Sequence, residues 1–438
     1  MEPKRSSRLK LRLVAVAVAQ LLPLAALAAD EAQRIEQLEK KLQQSMALIE
    51  QLTNRLNAIE AAKAAPPVQA ATPASADAQA ARIERLEQTV TGITETSAKK
   101  SDLGIPLHGF ADVGFIKYGL PDPGRKPGFA LGNLDLYMTP EFGRLRSIIE
   151  LVFEYGPEGG VATDLERLQF GYAFSDALTL WMGRFHTPYG YWNAAFHHGQ
   201  QIQTAASRPR FVEFEDRGGI LPAHAVGLMA SGNSRVGPGR LQYDAYLANG
   251  DSIMDGVLDL NAGSDDNHNK LVGGNLRYAF SGPLEGLTLG VHGFRQRVDA
   301  YDAANPVGST QVNMYGAFGV FEQNNWEVIG EYYRFRNNDL SGGTGTHASW
   351  AGFLQGGYTV GGRWTPYARV ERAELDQADT YFAAQESGRS YVRGVLGVRY
   401  DLDANSALKL ELDRIRQDQP DGSVLKGTGG RLQFAVRF

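Results

Sequence analysis

The chain has 438 residues, contains no cysteine and carries a formal net charge of −5 at pH 7. The absence of cysteine excludes disulfides, thiol catalysis and cysteine-ligated metals, so stability must come from a hydrogen-bonded sheet or from oligomerisation. After the first 28 residues no run of about 18 apolar residues occurs, which excludes membrane-spanning helices in the rest of the sequence. Fifty glycines with abundant tyrosine and phenylalanine are typical of a β-barrel that hides polar residues inside.

Residues 1–28 predict a signal peptide. A basic stretch, residues 4–12, precedes an apolar run from Leu13 to Leu27, and the small-residue site Ala26-Leu27-Ala28 fits cleavage before Ala29. An N-terminal membrane anchor is the alternative, but the apolar run of about 15 residues is shorter than the about 20 that a span needs. The mature protein is therefore expected to be exported.

Residues 29–63 carry a heptad repeat that predicts a coiled coil with one polar core position, Ser45. A linker rich in alanine and proline, residues 64–80, stops the first helix and separates it from a second short coiled coil over residues 81–98. The apolar core positions are Ile35, Leu38, Leu42, Ile49, Leu52, Leu56 and Ile59 in the first segment, and Ile83, Leu86, Val90 and Ile93 in the second.

The motif Arg-apolar-x-x-apolar-Glu occurs three times within these predicted helices. Each arginine falls at a g position and its glutamate at an e position, where an ion pair can bridge neighbouring helices, and mixed isoleucine and leucine in the core favour more than two strands. We therefore expect a homotrimer, with a dimer and a merely solvated charged face as the alternatives. The charged pairs are Arg34 and Glu39, Arg55 and Glu60, and Arg82 and Glu87.

Residues 105–438 predict a 16-stranded antiparallel transmembrane β-barrel, so the expected fold class is all-β, preceded by an α-helical coiled coil. This segment of 334 residues allows about 21 residues per strand and connection, which suits sixteen strands, although fourteen or eighteen stay open. A soluble sandwich or propeller does not explain the alternation of short turns and long loops. The predicted strands are 107–118, 133–141, 146–155, 165–174, 178–186, 223–232, 240–249, 271–280, 287–298, 311–322, 326–336, 347–360, 363–372, 390–401, 406–416 and 428–438.

The last strand alternates in polarity to the end of the chain. Leu432, Phe434, Val436 and Phe438 fall on one face and polar residues on the other, as a strand between lipid and a wet lumen requires. We expect it to pair with the first strand around Phe110 and so to close the sheet. An even strand number places both ends of the barrel on the same side of the membrane, with the coiled coil below it.

Charged residues alternate with apolar ones in several strands and are expected to line the lumen, because a charge facing lipid at mid-depth costs about 2–4 kcal/mol. From residue 101 onward the sequence has 25 arginines and 5 lysines against 38 acidic residues. The arginines could form a ladder for anionic solutes, or pair with carboxylates and stiffen or fill the barrel. The predicted lumen residues are Arg167, Arg184, Arg277, Arg369, Arg393, Arg399, Arg431, Arg437, Glu150, Glu154, Asp244, Glu371, Glu411 and Asp413.

Residues 187–222 form the longest connection and the third at the long-loop end. Its aromatic content argues against disorder, and a long structured loop is usually functional. Folded into the lumen it would set arginines against carboxylates across a constriction; a lid on the barrel rim is the alternative. His186, His197 and His198 lack a matching carboxylate spacing, so hydrogen bonding is preferred and no metal is expected. The predicted constriction residues are His186, Tyr189, Tyr191, Trp192, Arg208, Arg210, Glu213, Glu215, Asp216 and Arg217.

Together, the signal peptide, the coiled coil, the linker, the first strand Leu107–Phe115 and the terminal Phe438 resemble the Gram-negative trimeric porins with an N-terminal coiled coil. The phosphate-selective porin O/P-like and dicarboxylate-channel-like branches are the most similar. The resemblance implies passive diffusion of small hydrophilic solutes, anions among them, through the outer membrane, with the coiled coil in the periplasm. It implies no enzymatic activity, cofactor or nucleic-acid partner.

The same resemblance names the expected partners. They are lipopolysaccharide and the barrel-assembly machinery, which would recognise Phe438, with peptidoglycan as a further candidate. A structural outer-membrane protein, whose coiled coil spaces the membrane from the cell wall, is the alternative function. Its first coiled coil would reach roughly 50 Å, at 1.5 Å per residue.

Overall fold

The computed structural model describes residues 106–120, 126–155, 160–196, 199–213, 219–258 and 268–438. The chain divides into two compact units, Met1–Glu87 and Gln88–Phe438, and every described residue belongs to the second. The predicted signal peptide, both coiled coils, the linker and the trimerisation residues lie outside the described part. The description below therefore concerns the barrel.

Nineteen strands form one sheet, and sixteen of them make the antiparallel wall of a closed barrel. Of the other three, β3 continues β2 after a two-residue break, whereas β9 and β10 form a small hairpin between β8 and β11. The strands are β1 Leu107–Lys117, β2 Gly128–Met138, β3 Glu141–Phe142, β4 Leu145–Tyr155, β5 Val161–Ser175, β6 Leu178–His186, β7 His224–Val236, β8 Gly239–Asn249, β9 Ser252–Met254, β10 Val257–Leu258, β11 Lys270–Ala279, β12 Leu287–Asp302, β13 Asn305–Gln323, β14 Trp326–Asp339, β15 Thr346–Tyr358, β16 Trp364–Glu374, β17 Tyr391–Asp401, β18 Ser406–Asp418 and β19 Val424–Arg437.

The last strand closes the sheet against the first. β19 pairs antiparallel with β1, with Phe110 opposite Arg437, and Gly109 and Phe438 exchange two backbone hydrogen bonds of 3.0 Å. The predictions of sixteen wall strands and of closure around Phe110 are confirmed. Closure removes the exposed edges of the sheet, which is a requirement for a strand structure in lipid.

Each predicted wall strand is present, and the errors lie at the strand ends. β13 begins at Asn305, six residues before its predicted start, and β12 continues to Asp302. Ala303 and Ala304 adopt positive φ values of 45° and 68°, so a two-residue turn lets this hairpin extend further than expected. The predicted strands leave residues 299–310 as a connection.

The longest connections, residues 187–223 and 375–390 among them, lie at one end of the barrel, but the two-residue β12–β13 turn lies there too, so the predicted alternation holds in part. At the other end β13 and β14 are joined by Asn324 and Asn325, with φ values of 53° and 69°, a turn that asparagine tolerates. Exposed or partly exposed aromatic pairs lie near this end, as in the interfacial girdles of membrane barrels. These pairs are Tyr172 and Phe174, Tyr278 and Phe280, Trp326 and Tyr358, and Trp364 and Tyr400.

The two faces of the wall differ in polarity. On β18, Leu410 is 50% exposed on the outer face, whereas the neighbouring Lys409 and Glu411 are each 1% exposed on the inner face. An apolar outer belt around a polar interior is the arrangement of a membrane-spanning barrel. None of the helices among the described residues is long and apolar enough to cross a membrane.

Candidate functional site

The pairing register places thirteen of the fourteen predicted lumen residues on the inward face of the wall. Arg184 is the exception. It lies opposite Leu168 and shares the parity of Met182, which is exposed on the outer face. Its Nε donates to the Glu166 backbone carbonyl at 3.1 Å, and a lumen-lining role of Arg184 stays a prediction.

The connection between β6 and β7, residues 187–222, is called the inward loop because its described parts contact the inner face of the opposite wall. Its segments 187–196, 199–213 and 219–222 are described. They contain the four-residue helix α1, Trp192–Ala195, and a 3₁₀ turn, Arg210–Val212. Of the predicted constriction residues, Glu215, Asp216 and Arg217 lie outside the described residues.

The first part of the inward loop is anchored on β14. The Glu331 carboxylate accepts the Trp192 backbone N–H at 2.7 Å and the Tyr333 hydroxyl at 2.5 Å. Gly190 has φ +58°, and a Cβ at this position would lie 2.1 Å from Glu331 Oε2 and from the Tyr333 hydroxyl. The close approach and the left-handed backbone both require glycine here. On β11, Asn275 Nδ2 donates to the Gly190 carbonyl at 2.7 Å.

Aromatic side chains join the loop to the same wall. Tyr189 and Trp192 are each 1% exposed and belong to an apolar cluster inside the barrel. Phe211, from the far end of the loop, packs edge-on against Tyr333 with ring centroids 4.9 Å apart. The structure thus gives Tyr189 and Trp192 a packing role, while Tyr191 stays partly exposed. Burying several aromatic side chains, each worth about 1.5–3 kcal/mol, holds this part of the loop against β14 and β15.

Two cations of the wall bind the carbonyl groups of the middle of the inward loop. Arg399 Nη1 donates to the carbonyls of Gln201 at 2.6 Å and Gln203 at 2.9 Å. Lys409 Nζ donates to the carbonyls of Gln200, Gln203 and Ala205, the last two at 2.8 and 3.2 Å. The alternation of β18 predicts that Lys409 faces the lumen, but it does not predict that Lys409 binds the inward loop.

The third part of the loop, residues 206–210, lies on an alternating charge cluster of β16, β17 and β18. Arg369 donates to the Ser207 carbonyl at 2.9 Å, the Ser207 hydroxyl at 2.8 Å and the Arg208 carbonyl at 3.0 Å. Glu411 accepts the Ala206 N–H at 3.0 Å and the Ser207 hydroxyl. Because charge-assisted hydrogen bonds are about twice as strong as neutral ones, this cluster fixes the backbone of the loop across the lumen.

The charged residues of this cluster also form ion pairs with one another. Arg369 Nε lies 2.8 Å from Glu371 Oε1, and Arg393 lies 3.4 Å from Glu371 and 3.4 Å from Asp413. Arg210, from the loop, adds its backbone N–H to Glu371 at 2.7 Å and its guanidinium to Gln417 at 2.7 Å. The predicted lumen residues of this wall are therefore in contact with the predicted constriction residue Arg210.

A second connection reaches the inward loop and was not predicted to do so. The β16–β17 connection, residues 375–390, contains helix α2, Thr380–Ala383, and the Tyr381 hydroxyl donates to the Ile220 carbonyl at 2.5 Å. Asp379 caps this helix by accepting the Tyr381 N–H, and Asn337 donates to it at 2.9 Å. Burial raises the pKa of the Asp379 carboxyl, although these two donors oppose the shift.

The two residues that flank the inward loop, His186 and His224, lie close to carboxylates of the wall. His186 pairs in register with His224, and His224 Nε2 lies in contact with Glu166. His186 Nε2 is 3.3 Å from Glu150 Oε2. Sequence reasoning named His186 but not His224 or Glu166, because 38 residues separate the two histidines in the chain. His197 and His198 lie outside the described residues.

No family model matches the chain, and the comparison with curated proteins finds no match. Solved structures do match. The anion-selective porin from Comamonas acidovorans is 16% identical with a TM-score of 0.50, covering 76% of this chain and 99% of that porin. The outer membrane channel DcaP of Acinetobacter baumannii is 12% identical with a TM-score of 0.49, covering 77% and 99%. OprB of Pseudomonas putida is 12% identical with a TM-score of 0.47, covering 76% and 94%. At 16% identity, the likeness to the Comamonas acidovorans porin shows the barrel fold alone.

Proposed function

We propose that the protein is an outer-membrane channel through which small hydrophilic solutes, anions among them, diffuse passively, and that the inward loop narrows its lumen. The observation that carries this proposal is the set of bonds from Arg369, Arg399 and Lys409 to loop carbonyls. A loop tied to the inner wall opposite its own strands crosses the interior of the barrel. Sixteen strands are wide enough to leave an aqueous path beside such a loop.

The exposure of two ion pairs of the wall supports a preference for anions, whereas in the Arg399–Asp401 pair the carboxylate is the more exposed partner, 29% against 11%. Arg167 is 24% exposed against 3% for its partner Glu150, and Arg277 is 27% exposed against 13% for Asp244. In each of these two pairs the arginine faces more open space while the carboxylate is covered. A solute would meet more positive than negative surface at these places, which favours anions electrostatically. The similar porin from Comamonas acidovorans is anion-selective, which agrees with this choice.

Planar-bilayer recording of the purified full-length protein tests the proposal. We expect stable ohmic conductance steps, because a wall of hydrated charged side chains leaves a water-filled path. Closures in groups of three equal steps would support the homotrimer. Insertion without conductance, verified by heat-modifiable migration of the folded barrel, would overturn the channel and favour the structural spacer.

Ion selectivity gives a second prediction. Replacing Arg208 and Arg210 together by alanine removes two positive charges from the inward loop, so the reversal potential in a tenfold KCl gradient should move toward that of a cation-selective pore. Arg235→Ala, an exposed arginine beside the β7–β8 turn, is the matched control and should leave the potential unchanged. Equal potentials for the double variant and the wild type would contradict a role of these arginines in the passage.

The remaining parts of the proposal concern assembly. The coiled-coil segments 29–63 and 81–98 are proposed to lie in the periplasm after removal of the signal peptide and to hold three chains together. Lipopolysaccharide, the barrel-assembly machinery and peptidoglycan are the proposed contacts, the second through Phe438. Membership in the phosphate-selective or dicarboxylate-channel-like branch is likewise a proposal, supported by the arginine-rich inner wall.

A further inference from the structure

Two histidines flank the inward loop, one at each end. His186 ends β6 and His224 begins β7, and they form the last residue pair of the β6–β7 ladder. The next contact is the Thr187 N–H bonded to the Ala223 carbonyl at 2.9 Å, where the loop departs. Any group that holds these two side chains therefore sets the position from which the whole inward loop starts.

The backbone ladder between β5 and β6 stops just before this point. Its last pair is Leu168 with Arg184, and residues 161–167 of β5 pair with β4 alone. The register of β4 and β5 shifts between Glu150 and Leu151, which leaves Glu166 as an extra residue of a β-bulge. A β-bulge changes the direction of a side chain, and this bulge directs Glu166 toward the histidines at the point where the β5–β6 backbone pairing ends.

The ligand atoms are close enough for one ion. One carboxylate oxygen of Glu166 and one ring nitrogen from each of His186 and His224 all lie within 4.8 Å of one another. Tetrahedral zinc with bonds of about 2.0–2.1 Å holds its ligand atoms roughly 3.3 Å apart, so small side-chain rotations suffice. Glu150 Oε2 lies 3.3 Å from His186 Nε2 and can supply a fourth ligand.

The carboxylates at this place are buried. Glu150 is 2% exposed and Glu166 is 0% exposed. Arg167 bonds the Glu150 carboxylate, and Arg184 Nε donates to the Glu166 backbone carbonyl at 3.1 Å. A buried charge is costly unless it is paired or coordinates a metal, so a buried carboxylate beside two imidazoles suits a divalent ion.

We propose that Glu166, His186 and His224, completed by Glu150, bind a divalent transition-metal ion, with zinc as the ion that this ligand set suits best. Two imidazoles with carboxylate oxygens form a borderline-hard donor set that zinc accepts in tetrahedral geometry. The ion would join β5 to the β6–β7 hairpin beyond the point where the β5–β6 hydrogen-bond ladder ends. It would thereby fix the two ends of the inward loop. The proposal does not depend on whether the barrel conducts ions.

Metal binding to the untagged, folded protein in detergent is the test. After treatment with EDTA and buffer exchange, titration with ZnCl₂ followed by calorimetry should give about one ion per chain. Co²⁺ should bind in its place with the d–d absorption bands of a tetrahedral site. Zinc should also raise the unfolding temperature of the stripped protein, because the ion binds the native arrangement alone.

Matched variants make the assignment specific. His224→Ala and Glu166→Gln should each weaken zinc binding by more than about 100-fold, since removing a direct ligand exceeds the 10–100-fold cost of losing an outer partner. His347→Ala is the control. His347 Nδ1 contacts the Asp376 carboxylate at 2.8 Å, and His347 belongs to no cluster of three possible metal ligands within the described part of the chain. Substoichiometric zinc, or equal binding by wild type and His224→Ala, would overturn the site and leave a plain His224–Glu166 ion pair. Heat-modifiable migration checks that each variant is folded.

Discussion

Arg369→Met should release the inward loop and raise the single-channel conductance roughly twofold, because the narrowest cross-section of the pore limits the flow of ions. The Arg369 side chain is fully buried and donates to Ser207, Arg208, Gln355 and Glu371. Methionine has a similar length but no donor. Glu371, itself fully buried, would keep only its longer contact of 3.4 Å with Arg393 among the wall cations that pair with it in the described part of the chain.

The loop is expected to be released because the substitution breaks the buried Arg369–Glu371 ion pair. Removing one partner of a buried ion pair costs about 3–5 kcal/mol, since the other charge stays buried. The sixteen-strand ladder does not depend on this side chain, so the barrel should persist while the loop detaches. Channel recording and limited proteolysis of the loop measure the two consequences.

Arg372→Met is the matched control for this experiment. Arg372 lies on the same strand but on the outer face, 58% exposed, and pairs with the equally exposed Glu374. Exposed ion pairs contribute about 0–1 kcal/mol, so conductance and proteolysis should match the wild type. Equal conductance of Arg369→Met and Arg372→Met would show that the bonds of Arg369 do not hold a constriction.

Gly190→Ala should displace the first part of the inward loop from β14 and lower the free energy of unfolding by about 1–3 kcal/mol or more. The added methyl group would meet Glu331 Oε2 and the Tyr333 hydroxyl at 2.1 Å, and the φ of +58° strains any residue with a Cβ. Relief requires movement of the loop, because both neighbours lie on a strand of the wall. We expect a lower thermal midpoint and frequent spontaneous closures or flicker in bilayer traces.

Gly356→Ala provides the comparison. Gly356 lies on the wall strand β15, where an added Cβ meets nothing within 4 Å and φ is not in the left-handed region. This variant should have the thermal midpoint and the current noise of the wild type. If both variants have the same thermal midpoint and current noise, the close contact of Gly190 with Glu331 does not determine the position of the loop.

The site was only partly predictable from the sequence. Alternation placed Arg369, Glu371 and Glu411 on the inner face, because each side chain of a strand takes the face that its parity gives. It did not reveal that Arg369 and Glu411 bind Ser207, more than 160 residues away. The role of Lys409 was also missed, since its partners are backbone carbonyls of a distant loop and carry no mark in the sequence.

The sequence by itself determined that the chain forms a barrel closed by its last strand on Phe110, and it favoured sixteen strands over fourteen or eighteen. These features follow from local alternation and turn chemistry, which act over a few neighbouring residues. The tertiary structure alone decided the packing of Tyr189 and Trp192, the meeting of His186 with His224 and Glu166, and the contact of residues 375–390 with the inward loop. These depend on where a loop travels after leaving its strand. That path is set by long-range contacts whose partners only the closed barrel brings within reach.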